Sequence, residues 1–366
     1  MIAYVLRRLM LMLPTLLGIL TINFFIVQAA PGGPVDLAIA RLQGRDADPT
    51  ARFTGGGEER GAGQATPGTL DPGASRGARG LPPELVERIK KQYGFDKPLL
   101  ERYAIMLRDY AVFDLGESFQ SGTGVAALVL SKMPVSVTLG LWTTLLIYLI
   151  SIPLGVAKAV RDGTRFDIAT SAIVIVGNAI PGFLFALLLV VLFAGGSFWQ
   201  VFPLRGLTSD DWASLSWPAR IADYLWHVAL PVAAMVIGGF ATLTLLTKNS
   251  FLEEIGKQYV QTARAKGLAE RRVLYGHVFR NAMLIVIAGF PAAFVSVLFT
   301  GSLLIEVIFS LDGLGYLGFT AALNRDYPVM FGTLWVFGLL GLLMGLIGDL
   351  MYVAIDPRID FDARGA

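Results

Sequence analysis

Apolar residues along this chain gather in long unbroken runs. Six of them, roughly 9–30, 135–157, 168–194, 226–247, 282–305 and 329–355, are each long enough to cross a bilayer as a helix, which takes about 20 residues. None shows the period-two alternation of a barrel strand. A backbone in hydrocarbon must satisfy its own hydrogen bonds, so the pattern predicts an all-α membrane protein with six transmembrane helices. Few polar groups interrupt the runs. Asn23 in the first is expected to bond a neighbouring helix. Asn178 and Pro181 interrupt the third, where the proline predicts a kink; the pair is a candidate for a translocation path. His227 opens the fourth run, Glu306 sits at the outer edge of the fifth, and Asp349 lies toward one end of the sixth. Each of these three reads as an interfacial or helix-end group.

The polar intervals divide the chain into an N-terminal span (1–30), a long first interval (31–134), a five-helix region (135–355) that carries the interval 248–281, and a short tail (356–366). Within the first interval, 44–80 is rich in Gly, Arg, Ala and Pro and has hardly any large apolar residue. It cannot bury enough surface to offset the entropy of ordering and is expected to be a disordered loop. From Pro82 the sequence PPELVERIKKQYGFDKPLLERYAIMLRDY predicts two short amphipathic helices. They divide near Gly94, and Pro98 falls in the first turn of the second. Residues 82–134 thus form a small helical cap, too small for a catalytic domain.

Lys and Arg orient the chain. Arg7 and Arg8 precede the first run, and Lys158, Arg161 and Arg165 fill the short second interval. Lys248, Lys257, Arg264, Lys266, Arg271, Arg272 and Arg280 crowd the fourth, while Arg358 and Arg364 lie in the tail. The other intervals are poorer: Arg205 and Arg220 in 195–225, and Arg325 in 306–328. Cytoplasmic intervals carry the basic excess, so both termini are expected to be cytoplasmic and 31–134 extracytoplasmic. The first run exceeds the roughly 7–15 apolar residues of a cleaved signal peptide, which favours a retained helix.

Composition agrees with a membrane chain: 54% of residues are hydrophobic and 16% charged, against about a quarter charged in soluble domains. A net charge of +2 gives no global basic field for nucleic acid. The absence of cysteine rules out disulfides and thiolate chemistry, and two distant histidines, His227 and His277, make a His-rich metal site unlikely on spacing alone. Gly256-Lys257 lacks both the leading Gly (Phe251 stands there) and the following Ser or Thr of a phosphate loop. GLGYLG at 313–318 matches the dinucleotide pattern but follows a membrane helix rather than a strand, so it reads as a glycine-rich turn. Neither a metalloprotease nor a serine-hydrolase motif is present, and no paired catalytic set lies within the runs. The chain therefore reads as having no catalytic site, no metal site and no cofactor of its own. An ion-coupled carrier needs ionisable groups inside its spans, and these are nearly bare. What remains is a channel-forming part powered by another subunit, with a self-sufficient secondary transporter or channel as the alternative.

The interval QYVQTARAKGLAERRVLYGHVFRNAML (258–284) is basic and studded with small residues. Residues 259–266 predict a helix that Gly267 stops, and 270–280 a second. Ala263, Ala265 and Gly267 leave little side chain at the tip, so a partner's groove can approach the backbone. Arg264, Lys266, Arg271 and Arg272 can meet carboxylates on that partner. A solvated helix whose basic side chains touch anionic lipid is the other reading, and the residues alone do not choose.

Tyr259, Thr262, Ala263, Arg264, Ala265, Lys266, Gly267 and Leu268, followed by His277, Arg280, Asn281 and Ala282, resemble the cytoplasmic coupling loop of ABC importer membrane subunits. The likeness is to the peptide-importer branch, where Thr-Ala-Arg-Ala-Lys-Gly is typical. Gln261 replaces the acid of the broader Glu-Ala-Ala motif, and Ile285 stands where a Pro usually follows. Residues 4–36 with their Pro-Gly-Gly-Pro exit, and YGFDKPLLERY, DLGESF, PVSVTLGL, SIPLGVAKA, IPGFLFALLL, HVALPV and DPRID, are similar to family signatures in family order. The likeness covers the chain except 44–80. TKNSFLEEIGKQYVQTARAKG, FRNAMLIVIAGFP, TGSLLIEVIFSLDGLG and RDYPVMFGTL resemble the Yej-type branch, which takes up microcin C and oligopeptides. The resemblance implies a type I ABC importer permease fold in the bacterial inner membrane. It implies a second homologous permease as heterodimer partner, a cytoplasmic ABC ATPase that holds ATP and Mg, a periplasmic peptide-binding protein and a peptide substrate. The cap and the 306–328 interval are then the natural contacts for the binding protein; Glu306, Asp312 and Asp326 read as a solvated rim, with contact to the peptide amino terminus or the binding protein as the alternative. Gly267→Trp or Ala263→Arg is expected to spare insertion and uncouple transport from ATP hydrolysis.

Overall fold

The computed structural model describes residues 2–29, 35, 83–92, 94–194, 198–296 and 303–355. The expected disordered loop at 44–80, the Pro-Gly-Gly-Pro exit at 31–34 and the tail at 356–366 lie outside the described residues. Every regular element of three residues or more among the described residues is helical. In chain order these are α1 (Ile2–Ala29), α2 (Pro83–Gln92), α3 (Leu99–Ala111), α4 (Val125–Val160), α5 (Arg165–Ala179), α6 (Gly182–Phe193) and α7 (Trp217–Ile255). There follow α8 (Gln258–Ala265), α9 (Glu270–Ala282), α10 (Leu284–Val295), α11 (Leu303–Ile308), α12 (Leu314–Leu323) and α13 (Tyr327–Ile355).

Four of the six predicted runs are single helices: α1, α4, α7 and α13. The third is a pair, α5 and α6, bent by 90° at Ile180-Pro181, and the fifth is bent by 43° between α9 and α10. The sequence predicted a kink at Pro181 in the third and read the fifth as a simple span. Proline accounts for the first break, since it has no N–H to donate and disfavours a helical residue before it. Helix α4 starts at Val125, inside the region read as cap. With 36 and 39 residues, α4 and α7 are about 54 and 58 Å long, far more than the ~30 Å hydrocarbon core. Their surplus turns carry the chain out of the bilayer.

The chain divides into two compact units. The first comprises Met1–Met12, Ser131–Tyr316 and Phe337–Ala366. One of its apolar clusters joins α4, α6, α7 and α11 through Leu139, Ala186, Val228, Ala234, Ile305 and Phe309. A second joins α4, α7, α8 and α9 through Val156, Phe251, Val260, Val273 and Val278. Small residues let α4 and α7 meet closely, as membrane helices do where no hydrophobic force drives them together. A Cβ on Gly155 would stand 2.6 Å from Thr247 Cβ and 2.8 Å from the Thr244 carbonyl. Beside this contact Ser151 Oγ donates to the Phe240 carbonyl at 2.8 Å. At the other end of the chain, Tyr4 donates to Asp349 at 2.8 Å and Arg8 pairs with it at 2.9 Å. Asp349 is thus a helix-to-helix tie rather than a solitary end group.

The second unit comprises Leu13–Leu130 and Leu317–Val336. Here α2 and α3 fold as expected, with Gly94 in the left-handed region (φ 69°) where they divide. Thr21 and Tyr103 hydroxyls lie 2.6 Å apart, fastening α3 to α1. Asn23, expected to reach a neighbouring helix, instead donates to the Ile19 carbonyl of its own helix at 2.8 Å. Asp326 is buried, 3% exposed, and accepts from Ser118 Oγ at 2.5 Å and Phe119 N at 3.0 Å. It is a structural anchor for the 112–124 turn, not part of a solvated rim.

Gly155→Val overlaps backbone, so it is expected to destabilise the purified chain by at least the ~1–3 kcal/mol of an overpacked core. Gly18→Ala, at a position with nothing within 4 Å, is expected to leave the melting temperature in detergent unchanged. Equal melting of Gly155→Val and wild type would refute the close α4–α7 crossing.

Candidate functional site

Helix α7 leaves the apolar run and ends at Ile255; an extended turn at Lys257 (ψ 151°) then starts α8. Helix α8 stops at Gly267, whose φ of 78° is the left-handed conformation that glycine adopts without cost. Gly267 N donates to the Arg264 carbonyl at 2.9 Å and Leu268 N to that of Ala263 at 3.3 Å, the paired bonds of a Schellman end. Arg264 then grips Glu270 at the start of α9 with two bonds, Nε at 3.1 Å and Nη2 at 2.5 Å. This carboxylate lifts the Arg264 pKa further above its usual value. Both ends of the tip are therefore fixed.

The base of the segment is also fixed. Tyr259 donates to Glu254 at 2.7 Å, and Lys257 bonds the same carboxylate. Burial, then the Glu254 hydrogen bond, pushes the Tyr259 phenol upward, so it remains a donor at neutral pH. Ser250 Oγ donates to the Ala282 carbonyl at 2.5 Å, and Phe251 meets Phe279 edge-on at 5.8 Å. Helix α9 contains a π-helical turn at Leu274–Val278 that carries His277. Such turns recur at functional sites.

The site residues read from sequence separate by face. Thr262, Arg264, Ala265, Lys266 and Gly267 are exposed; Tyr259 and Leu268 are half-buried. Ala263 was read as a small residue facing a partner. The structure corrects this: Ala263 is 7% exposed and packs with Val260, Val273 and Phe251 in the protein's own core. Its smallness lets α8 lie against α9. Ala263→Arg would therefore disrupt the segment itself and cannot report on docking alone.

Sequence reasoning missed the charged cluster at this end. Lys158, read as a loop cation, is fully buried. Its Nζ pairs with Asp167 Oδ1 at 2.9 Å and donates to the Asp167 carbonyl at 2.9 Å, Thr170 at 3.0 Å and Ser171 at 2.6 Å. Lys248 of α7 reaches the other Asp167 oxygen at 2.7 Å and Asp162 at 2.8 Å. One carboxylate thus joins α4, α5 and α7, and two acids balance two lysines. Charge spacing along the chain gave no signal for it, because the partners meet only when three helices converge.

Asn178 and Pro181 sit at the 90° bend and are exposed. Gly177 and Gly182 beside them let the bend press on α7, with Phe240 and the Ala234 carbonyl at 3.2 and 3.3 Å from an added Cβ. Neither Asn178 nor Pro181 lines the cavity of ≈ 310 Å³ between α7 and the α9–α10 bend, which Asn249, Ser250, Glu253 and Asn281 border. At the far end, Glu306 is not a rim residue but fully buried. It accepts from Tyr316 N at 2.7 Å and Ser136 Oγ at 3.2 Å, while Ser136 Oγ accepts from Leu314 N at 2.8 Å. A Cβ on Gly313 would overlap its carboxylate. The GLGYLG turn is a carboxylate cradle that caps α12. Asp312 alone of the three acids is exposed, and it pairs with Lys132.

Residues 151–361 match the family model described as "Binding-protein-dependent transport system inner membrane component". The "Inner membrane ABC transporter permease protein YejB" of Escherichia coli O157:H7 is 58% identical over 362 residues, covering 99% of this chain and 100% of that protein. The "Peptidoglycan transport system permease protein YejB" of Agrobacterium fabrum is 57% identical over 364 residues, 99% of each. The "Oligopeptide transport system permease protein AppB" of Bacillus subtilis is 32% identical over 362 residues, 99% of this chain and 100% of that protein.

Asp167→Asn leaves two lysines without their shared anion. It is expected to cost about 3–5 kcal/mol, the usual loss on breaking a buried pair. Asp162→Asn, at a half-exposed partner, is expected to cost under about 1 kcal/mol. Denaturant titration of the two variants in detergent checks the ranking; equal midpoints would refute the central place of Asp167.

Proposed function

The chain belongs to the family of binding-protein-dependent transport system inner membrane components, and from that membership we propose that it is the peptide-conducting permease subunit of an ATP-driven importer. The names of its relatives support the substrate class: one transports oligopeptides and another peptidoglycan. Peptide is the chemistry these share. Uptake of microcin C-like peptide antibiotics is a narrower form of the same reading.

In this proposal the working surface is the exposed edge of α8, from Gln261 through Thr262, Arg264, Ala265 and Lys266 to Gly267. It docks on a cytoplasmic ATPase, which holds ATP and Mg and performs the hydrolysis. A second homologous permease completes the pathway, a periplasmic binding protein delivers the peptide, and both termini lie in the cytoplasm. The observation that carries this reading is the rigidity of the segment. Its tip is closed by a Schellman end and the Arg264–Glu270 fork, and its base is tied through Glu254 and Ser250. A lever transmits displacement only if it does not deform. Helix α8 is fixed to α7 and α9, and α7 is fixed through Lys248 to Asp167 of α5. Movement of the docked tip is therefore delivered to three helices together, while the apolar lipid-facing surfaces of α5 and α6 slide without breaking hydrogen bonds.

Gly267→Trp is hindered twice, by its positive φ and by the bulk added at the docking edge; Ala265→Trp adds bulk alone. Both are expected to leave the chain in the membrane and to reduce peptide uptake at least tenfold while ATP hydrolysis loses its dependence on peptide. Uptake and hydrolysis measured together in vesicles check this. Full uptake with unaltered coupling in Ala265→Trp would refute the docking edge and return the reading to an ion-coupled carrier.

A further inference from the structure

The second compact unit holds a cavity of ≈ 790 Å³ that the coupling argument does not use. Helix α3 forms one wall, with Arg102, Met106, Asp109 and Tyr110 on it. Two polar atoms there are buried without a hydrogen-bond partner among the described residues, Arg102 Nε and Tyr110 Oη. Tyr110 is 7% exposed. Arg102 lies over the Phe95 ring at 4.4 Å and forms no ion pair among the described residues. Burial lowers its pKa from the usual guanidinium value and raises that of the Tyr110 phenol. Buried polar atoms are nearly always satisfied.

The charges along this wall are sorted. Lys97 and Arg102 line the cavity at the start of α3, and Asp109 and Asp114 line it at and beyond the end, with Glu117 in the following turn. Lys97 shares Glu101 at 3.7 Å, and Asp109 uses one oxygen for Arg108 at 2.8 Å. Seven helical residues separate Arg102 from Asp109, roughly 10 Å along the axis. Three extended residues span about the same length. The volume falls in the range of small-molecule sites, ~300–1,000 Å³.

We propose that this cavity binds a short zwitterionic peptide, with its carboxylate on Arg102 and its ammonium at Asp109 and Asp114. Arg102 offers a planar fork matched to a carboxylate. Tyr110 Oη bonds the peptide, and Phe95, Met106 and Phe331 give apolar walls that accept varied side chains. The site rests on the reading of peptide as the transported class. It adds a station within the permease's own cap, distinct from any binding protein.

Equilibrium dialysis of radiolabelled trialanine against the purified full-length chain in nanodiscs, with no binding protein present, tests this. Trialanine amide and N-acetyl-trialanine are each expected to bind at least roughly tenfold more weakly, the loss of one charge-assisted contact. Arg102→Gln is expected to reduce trialanine to the level of its amide and leave the amide unchanged. Arg102→Lys is expected to keep part of the preference, and Tyr110→Phe to weaken all three peptides. Wild-type melting of each variant verifies folding. Equal binding of the three peptides, or none, overturns the site. So does a trialanine affinity unchanged in Arg102→Gln while capture of the binding protein is lost, which assigns the carboxylate to that partner. Cell uptake separates the two levels. Uptake that needs this chain but not Arg102 overturns the cavity and leaves the peptide reading standing; uptake intact without the chain overturns the peptide reading itself.

Discussion

Hydrocarbon supplies no hydrogen-bond partner to a helix that stops inside it, and two of the six spans here are interrupted. At both interruptions backbone groups beside the break find partners again. At the first, Pro181 has no N–H to lose, and its carbonyl takes the N–H groups of Leu184 and Phe185 at 2.9 and 3.1 Å. At the second, Met283 N still reaches the Phe279 carbonyl at 2.9 Å and Ile287 N that of Met283 at 2.8 Å, so the axis turns without breaking the ladder. At α12 the donors are caught from outside the helix, by Ser136 of α4 and Glu306 of α11. A buried carboxylate at a helix N-terminus is favoured by the dipole as well as by its bonds. Removing Glu306 would leave backbone donors unsatisfied, which explains why an acid survives at such depth.

The same economy governs the inner end. Two lysines and two acids meet where α4, α5 and α7 converge, and the fully buried Lys158 is surrounded by four oxygens. Such a cluster contributes little net stability, since desolvation offsets attraction, but it permits few alternative arrangements. It sets which parts of these helices move as a body. Helix α8 is packed onto this body, because Val260 and Ala263 turn inward while Gln258, Gln261, Thr262, Arg264 and Ala265 stay outside. Rigidity within the block and slippery apolar surfaces around it are complementary requirements for a subunit that must change shape without unfolding.

The second compact unit follows a different rule. It is held by ties between residues far apart in the chain, Thr21 to Tyr103 and Asp326 to Ser118 and Phe119, and by aromatic contacts such as Phe24 with Tyr103 at 5.4 Å. Phe113 adopts a left-handed φ of 61° and packs edge-on against Trp335 at 4.8 Å. These anchors leave the wall of α3 open to its cavity rather than closing it.

The sequence by itself determined the six apolar runs, the break at Pro181 and the stop of the helix that begins the 258–284 segment. Those features depend on interactions among near neighbours: apolar run length, Pro181 against the residue before it, Gly267 for a left-handed turn. Its size alone misplaced Ala263 at the outer tip, since a small residue serves a close internal contact as readily as an external one. Lys158 was read as a cation of the short second interval, and Glu306 and Asp326 as groups of a solvated rim. Only the tertiary structure decided otherwise, because their partners lie on other helices and a charge is buried only where convergence supplies its counter-charge or donors. The unpaired Arg102 and Tyr110 were likewise illegible in the chain: that a polar group lacks a partner is a property of everything packed around it, and no local pattern encodes it.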